Sequence, residues 1–513
     1  MVSVIFLITR LPYYIHYPIL IISNDTASYL TAAFQLMEHS WPLFDIRTPG
    51  YPLFISAVLS LSSELISISL VQSIITYFSA IFFLIVVFRF YRNRIVYFAI
   101  AVCGFISSTI FIILEMSILT EGIFTSFMLI TAGVLVLAIK SERLYAWIIF
   151  SVLVALLIYI RPAGLFLIAL LVPLMIFFMV NKYPIKYYAG LILPFILIIG
   201  SLCMYNYKTL GKFTITPFGE ANLAGVTVLF MEPSELYPEF VNTAIQTTLD
   251  SIPRREIKNV KSSNNPELLF NTFKDNFHIQ MKLVSNLKKS DSTMSYIDVQ
   301  PYLRQISIDA IKKRPEIYAK FFLCNFYYFL TNIGRSADYR NQLERKYKHV
   351  YVDQIYLDQI KSGKWSQISD NQAMIDKVYR FYLHENEKQS LLDGFITDTD
   401  NEVTLKPTML MSVFEFFQKL YDLIFRNLLW LAMFALMLIL SIRILIRTKF
   451  KDKDAFIALT FAMIFLLKAI LVSMVESSLE RYSYTVDFVI YMSLPFTLIL
   501  FQRFKAIKNN SNS

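Results

Sequence analysis

Stretches of about 20 apolar residues, enough for an α-helix to cross ~30 Å of hydrocarbon, recur through roughly the first 200 and the last 90 positions of this chain. Backbone polar groups inside a bilayer must be satisfied within each segment, so these runs are expected to cross as helices. Composition agrees, because the 513 residues are 56% hydrophobic and 16% aromatic with a mean hydropathy of +0.52, above the range of a soluble domain. Cys103, Cys203 and Cys324 lie in apolar surroundings without paired spacing, which gives neither a disulfide framework nor a zinc pattern. The five histidines show no metal-binding spacing. A net charge of +10 suits nucleic acid in principle, but in a polytopic protein lysines and arginines mark cytoplasmic loops, and no nucleic-acid partner is expected.

The spacing predicts about ten spans. The first, Met1 to about Ile22, is interrupted by Arg10, Pro12, His16 and Pro18. Either this helix is short with Arg10 at the outer interface, or the natural start lies further upstream. The others are Leu65–Phe88, Ile95–Leu114, Gly122–Ala138, Leu144–Ile160, Ala163–Val180, Tyr187–Tyr205, Leu423–Ile446, Ala455–Val475 and Tyr482–Phe501. Pro49–Glu64 and Leu65–Phe88 together would reach ~60 Å as one helix, so a break is expected near Ser62-Ser63-Glu64, with the earlier piece a re-entrant or interfacial helix.

Short-loop cations set the orientation. Arg89, Arg92, Arg94, Lys140, Arg143, Lys182, Lys186, the run Arg443 to Lys453 and the run Arg503 to Lys508 fall on one side. The other side carries Asp25, Glu38, Asp45, Glu64, Glu115, Glu121, Glu476 and Glu480, with Arg47, Arg161 and Arg481. That acidic side is expected to face outward. Residues 206–421 form a charged insertion between two spans that both end outside, so it must cross an even number of times or not at all. Its apolar piece, 315–333, is expected to lie on the outer interface with Phe321, Phe322, Phe326, Tyr327 and Tyr328 towards lipid. The expected fold is therefore an all-α polytopic membrane protein: a core over 1–205 with a first outer loop at 23–52, a mainly helical extracytoplasmic insertion over 206–421, and a closing transmembrane segment over 422–513.

Candidate chemistry gathers at the outer ends of several spans. Asp25 follows the first span, where a carboxylate can act as general base towards a hydroxyl or ligate a divalent cation; a solvated loop aspartate is the plainer alternative. Glu121 and Arg161 stand at span ends as catalytic or merely interfacial groups. Lys468 lies inside an apolar span, about seven residues from its outer end, where a charge faces a cavity, a partner or, by snorkelling, the interface. Asp487 is its candidate partner. Arg481 in Glu480-Arg481-Tyr482 offers a planar fork to phosphate.

Asn24-Asp25-Thr26-Ala27-Ser28-Tyr29, followed by Arg47-Thr48-Pro49-Gly50-Tyr51-Pro52, resembles the first outer loop of the polyprenyl-phosphate-dependent glycosyltransferases of the GT-C type, which include protein O-mannosyltransferases and aminoarabinose transferases. Leu119-Thr120-Glu121-Gly122, Ile160-Arg161-Pro162-Ala163-Gly164, Tyr205-Asn206-Tyr207, Ile311 to Phe329 and Glu480-Arg481-Tyr482 resemble further elements of that family, in its order. The chain departs from the pattern at Ile46 and Thr485, where relatives carry an acid and a proline. The resemblance implies an inverting transfer of sugar from a polyprenyl-phosphate donor to a glycan, lipid or protein acceptor, on the outer face of the plasma (inner) membrane. Asp25 and Glu121 become the catalytic candidates, and Tyr29, Arg47, Tyr51, Arg161, Lys468, Arg481 and Tyr482 the substrate-binding ones. No cofactor is fixed; a divalent cation on Asp25 and Glu121 is left open. Membrane lipid is the other expected partner. A lipid-linked oligosaccharide polymerase or ligase and a secondary transporter are the rival readings. The former would concentrate charge in a late outer loop, and the latter would show internal repeats with broken helices at the midplane.

Overall fold

The computed structural model describes residues 1–16, 25–38, 47–62, 64–216, 219–331 apart from 264, 275, 276, 291–293 and 295, the pieces 396–399 and 402–405, four positions between 412 and 423, and 428–475 and 484–511. In chain order its helices are α1 (Val2–His16), α2 (Thr26–Met37), α3 (Gly50–Leu61), α4 (Ile66–Tyr91), α5 (Ile95–Ile106), α6 (Thr109–Glu115), α7 (Thr120–Ser141), α8 (Leu144–Ile160), α9 (Leu171–Val180) and α10 (Ile185–Leu210). There follow α11 (Gly219–Thr227), α12 (Glu239–Asp250), α13 (Arg254–Ser262), α14 (Pro266–Lys274), α15 (Phe277–Ser290), α16 (Tyr296–Lys313), α17 (Pro315–Thr331), α18 (Leu428–Arg447), α19 (Lys453–Val475) and α20 (Phe488–Ser511). One antiparallel hairpin, Ile396–Thr399 with Glu402–Leu405, is the only sheet among the described residues.

Seven helical segments among the described residues are long and apolar enough to cross a membrane, and Val2–Leu11, Gly50–Leu61 and Leu144–Ile160 are shorter apolar helices. The protein is a helical membrane protein. One of the seven, Ile66–Ile106, is 41 residues long by composition, yet the chain folds back on itself at the 3₁₀ turn Arg92–Arg94. Phe83 and Phe98 lie 15 positions apart with ring centroids 6.5 Å apart, whereas a continuous helix would separate them by about 22 Å. The expected break after Leu61 is present, with Ser62 extended at the helix end. The expected span Ile95–Leu114 is not one helix, because the chain breaks at Ser107 and Ser108 between α5 and α6.

The chain divides into two compact units, the first holding residues 1–200, 333–465 and 484–513 and the second 201–332 and 466–483. In the first unit α4 packs on α7, and α4 carries a stripe of small residues whose first two members, Ser69 and Ser73, meet Met116 and Glu115 ahead of α7. Ser69, Ser73, Thr76 and Ala80 recur at helical spacing and are all buried. Lipid tails give no hydrophobic drive for two apolar helices to meet, so close approach and interhelical hydrogen bonds hold such an interface. Thr76 and Ser126 supply one such bond at 2.8 Å. At Gly133 an added Cβ would lie 3.1 Å from the Phe82 ring.

The second unit has a hydrophobic core of the water-soluble kind. On α12, Val241, Ala244, Ile245 and Thr248 are buried at i, i+3, i+4 and i+7, and they join a core with Leu283, Leu287, Leu303 and Phe321. The aromatic face expected of α17 divides. Phe321 packs 4.8 Å from Phe273 and Tyr328 stacks 4.1 Å from Phe270, while Tyr327 is exposed. Two of the five rings are thus spent on the unit's own core.

Candidate active site

Proline and glycine decide where the site's side chains emerge. Pro162 forces its predecessor out of the helical region, so Arg161 is extended (φ −152°, ψ 124°) at the end of α8 and the next turn starts on Pro162. Pro49 and Gly50 open α3 directly against that same helix end. A Cβ on Gly50 would fall 2.6 Å from the Tyr159 carbonyl oxygen and 2.7 Å from the Ile160 nitrogen, so only glycine permits the contact. The segment carrying Arg47 and the helix end carrying Arg161 are thereby fixed side by side.

Asp25 occupies the N-cap position of α2 but makes no capping hydrogen bond with its side chain. Its carboxylate turns instead to Arg47, whose Nη2 donates to Oδ1 at 2.8 Å. The same guanidinium donates to Ser28 Oγ at 2.9 Å and to the Tyr29 hydroxyl at 3.3 Å, and lies 4.5 Å over the Tyr29 ring. A second pair stands beside it: Arg161 Nη1 reaches Glu121 Oε1 at 2.8 Å, and Thr120 donates to Glu121 Oε2 at 3.1 Å. Tyr29 touches the first pair and feels the charges of both. Burial pushes its phenol above the usual range, and the charges of Arg47, Asp25, Glu121 and Arg161 all act on it. Tyr29 therefore stays a neutral hydroxyl between two ion pairs of different exposure, since the Asp25 side chain is 23% exposed and that of Glu121 2%.

Tyr51 lies edge-on to Tyr29 at 5.0 Å and is fully buried. Its hydroxyl donates to Gln72 Oε1 at 3.0 Å, and Gln72 Nε2 donates to the carbonyls of Glu115 and Ser117 at 2.6 and 3.0 Å. Among the substrate-binding candidates, Tyr51 thus backs Tyr29 from within. Behind it lies a pair that sequence reasoning missed. Arg10, for which an interface position was one of two alternatives, is 2% exposed, and it grips Glu115 through Nε at 3.1 Å and Nη2 at 2.9 Å. Ser73 also donates to Glu115. Two ionisable residues near ends of apolar runs were the available signal, but 105 positions separate them. α6 ends at Glu115, and a Cβ added at Gly122 of α7 would lie 3.0 Å from the Glu115 Cα.

Lys468 is fully buried on the part of α19 that belongs to the second unit, and Asp487 is buried in the first. Arg481 and Tyr482 lie outside the described residues. Among the described residues no three His, Cys, Asp or Glu side chains gather as metal ligands. Asp25 and Glu121 are each engaged by an arginine. The chain matches no protein-family model, no curated protein and no solved structure.

Proposed function

We propose that the protein is a GT-C type glycosyltransferase that moves a sugar from a polyprenyl-phosphate carrier to an acceptor hydroxyl, with inversion, on the extracytoplasmic side of the plasma membrane. The observation that carries this reading is the pair of acid–arginine couples, Asp25–Arg47 and Glu121–Arg161, flanking Tyr29 at one end of an apolar helix bundle. A donor made of a lipid tail and a charged phosphate asks for cations at the edge of hydrocarbon and for a carboxylate beside them. In this reading the Asp25 carboxylate takes the proton of the acceptor hydroxyl as that oxygen attacks the anomeric carbon. The bond from that carbon to the phosphate oxygen breaks, and its electron pair leaves with the lipid phosphate. The guanidinium groups of Arg47 and Arg161 steady the charge that develops there. Because Arg47 rests on Asp25, a phosphate that draws Arg47 to itself also uncovers the base, which ties proton removal to donor binding.

The reading is tested with purified protein and a polyprenyl-phosphate sugar, scoring acceptor-dependent release of lipid phosphate. No release above that of an Asp25→Asn preparation removes the reading. The proposed sidedness is tested separately: single cysteines at Ser40 and Ser290 label with an impermeant thiol reagent added outside, and one at Ser141 does not. Labelling at Ser141 alone reverses the orientation.

A further inference from the structure

The helices of the second unit form an open cleft of about 490 Å³, its cations Arg304 and Lys312 exposed to solvent and Lys212 half-buried, that the reading above does not use. It lies between the loop after α10, the first turn of α11 and one stripe of α16. Arg304, Ile308 and Lys312 recur at i, i+4 and i+8 on that stripe, while Leu303, Ile306 and Ala310 turn into the hydrophobic core. Lys212 approaches from the loop, and its Nζ donates to the Ile297 carbonyl at 2.6 Å, pinning the loop to the start of α16. Glu220 from α11 and Gln300, Gln305 and Asp309 from α16 complete the polar lining; Asp309 accepts a hydrogen bond from Tyr237 at 2.8 Å, which fixes its orientation.

The lining selects a chemical class. Its volume lies in the range of small-molecule sites, roughly 300–1,000 Å³. Three cations, Lys212, Arg304 and Lys312, against two carboxylates leave an excess of one positive charge, which favours an anion. Arg304 offers the planar fork that matches carboxylate or phosphate. A bare inorganic anion would need only the cations, and Glu220 and Asp309 would repel it. Carboxylates facing the same space instead accept hydrogen bonds from hydroxyls, and Ile308 offers apolar contact to the C–H face of a ring. We infer that this cleft binds an anionic sugar, a hydroxyl-bearing ring that carries a phosphate or a carboxylate. Such a head arises in two ways, on a lipid-linked sugar as a 1-phosphate or in an acidic glycan as a uronate.

Binding is read without turnover, so the test stands apart from the transferase reading. Full-length protein in detergent is titrated by calorimetry with glucose 1-phosphate, glucuronate, glucose and inorganic phosphate. The expected result is binding of one anionic sugar at least about tenfold tighter than glucose or inorganic phosphate, weakened at least about tenfold by Arg304→Gln, a factor worth 1.4 kcal/mol. Arg304 is exposed, and the circular-dichroism melt of the variant is expected to match the parent. Preference for the 1-phosphate assigns a lipid-linked sugar head; preference for glucuronate assigns an acidic glycan. Equal affinity for inorganic phosphate and glucose 1-phosphate, binding indifferent to Arg304→Gln in a normally melting variant, or no binding by either anionic sugar overturns the inference.

Discussion

At one end of the first unit a single carboxylate is shared by several donors, and at the other end three carboxylates are each matched with an arginine. Asp454, at the start of α19, accepts from Tyr91 at 2.6 Å and from Arg503 at 3.1 and 3.3 Å, and Lys140 pairs with it as well. These partners come from α4, α7 and α20, so one anion ties four helices together. Lys453 adds a bond to Glu142 at 2.5 Å, where α7 ends in the left-handed region. From Glu121 to Lys140 along α7 is about 29 Å, the thickness of a hydrocarbon core, so the two charge layers stand at the two faces a bilayer would have. Their exposure differs. The Asp454 side chain is 5% exposed and surrounded by donors, whereas Asp25 and Arg47 remain more than a fifth open. The first arrangement holds helices, and the second leaves a carboxylate and a guanidinium within reach of a ligand.

That difference is broken most forcefully at the closed end. Asp454→Ala removes the shared anion and leaves Lys140 and Arg503 facing each other without it, and removing one partner of a buried ionic group costs roughly 3–5 kcal/mol. The expected outcome is a large fall in thermal unfolding temperature in detergent, with turnover per folded molecule unchanged. A variant as stable as the parent would mean that the cluster is idle. At the open end Asp25→Asn keeps the shape and removes the base, and transfer is expected to fall at least ~100-fold with little change in melting. If more than about a tenth of the turnover survives, less than 1.4 kcal/mol of barrier, Asp25 leaves the mechanism and Glu121 becomes the leading base.

The open end was the more legible of the two in the sequence, for a physical reason. Prolines and glycines mark helix ends by local rules, so Arg161-Pro162 and Arg47 to Gly50 could be placed at helix ends from neighbours alone, and Asp25 and Glu121 with them. Pairings across the bundle obey no local rule. Arg10 with Glu115 and Asp454 with Lys140 and Arg503 depend on which helices lie side by side, so Lys140 and Arg503 were read only as cytoplasmic loop charges and Asp454 not at all. The break between α5 and α6 was missed because Ser107 and Ser108 interrupt a run whose apolar character continues on both sides. Tyr51 became a substrate-binding candidate only through the family resemblance, and nothing local showed that it is buried against Tyr29 and Gln72.

Gly50→Ala tests how the open end is held. Its added Cβ meets backbone rather than a flexible side chain, so α3 must move away from the end of α8. Overpacking of this kind costs typically 1–3 kcal/mol, and here the displacement passes directly to Arg47 and Tyr51. The expected result is a moderate loss of stability with a larger proportional loss of transfer. Equal melting and equal transfer would show that the close approach positions nothing.

The smallest effect is expected on the α4–α7 interface at Thr76, whose partner Ser126 is five residues along α7 from Glu121. Its hydroxyl meets Ser126 at 2.8 Å across the α4–α7 interface, and Val keeps the branched shape while removing the hydroxyl. Two hydroxyl protons serve three contacts: one hydroxyl donates to the other, and each has a carbonyl of its own helix as an alternative acceptor, Gln72 for Thr76 at 3.1 Å and Gly122 for Ser126 at 2.9 Å. Thr76→Val leaves Ser126 able to donate to the Gly122 carbonyl, so no polar group is stranded, and such bonds in membranes are worth about 0.6 kcal/mol on average. Thr76→Val should lower stability by about that much, measured by reversible unfolding in mixed micelles, and leave transfer unchanged. A loss above roughly 2 kcal/mol would exceed what a membrane hydrogen bond of this kind supplies and would make polar pairing, rather than the close approach of small residues, the main bond between α4 and α7.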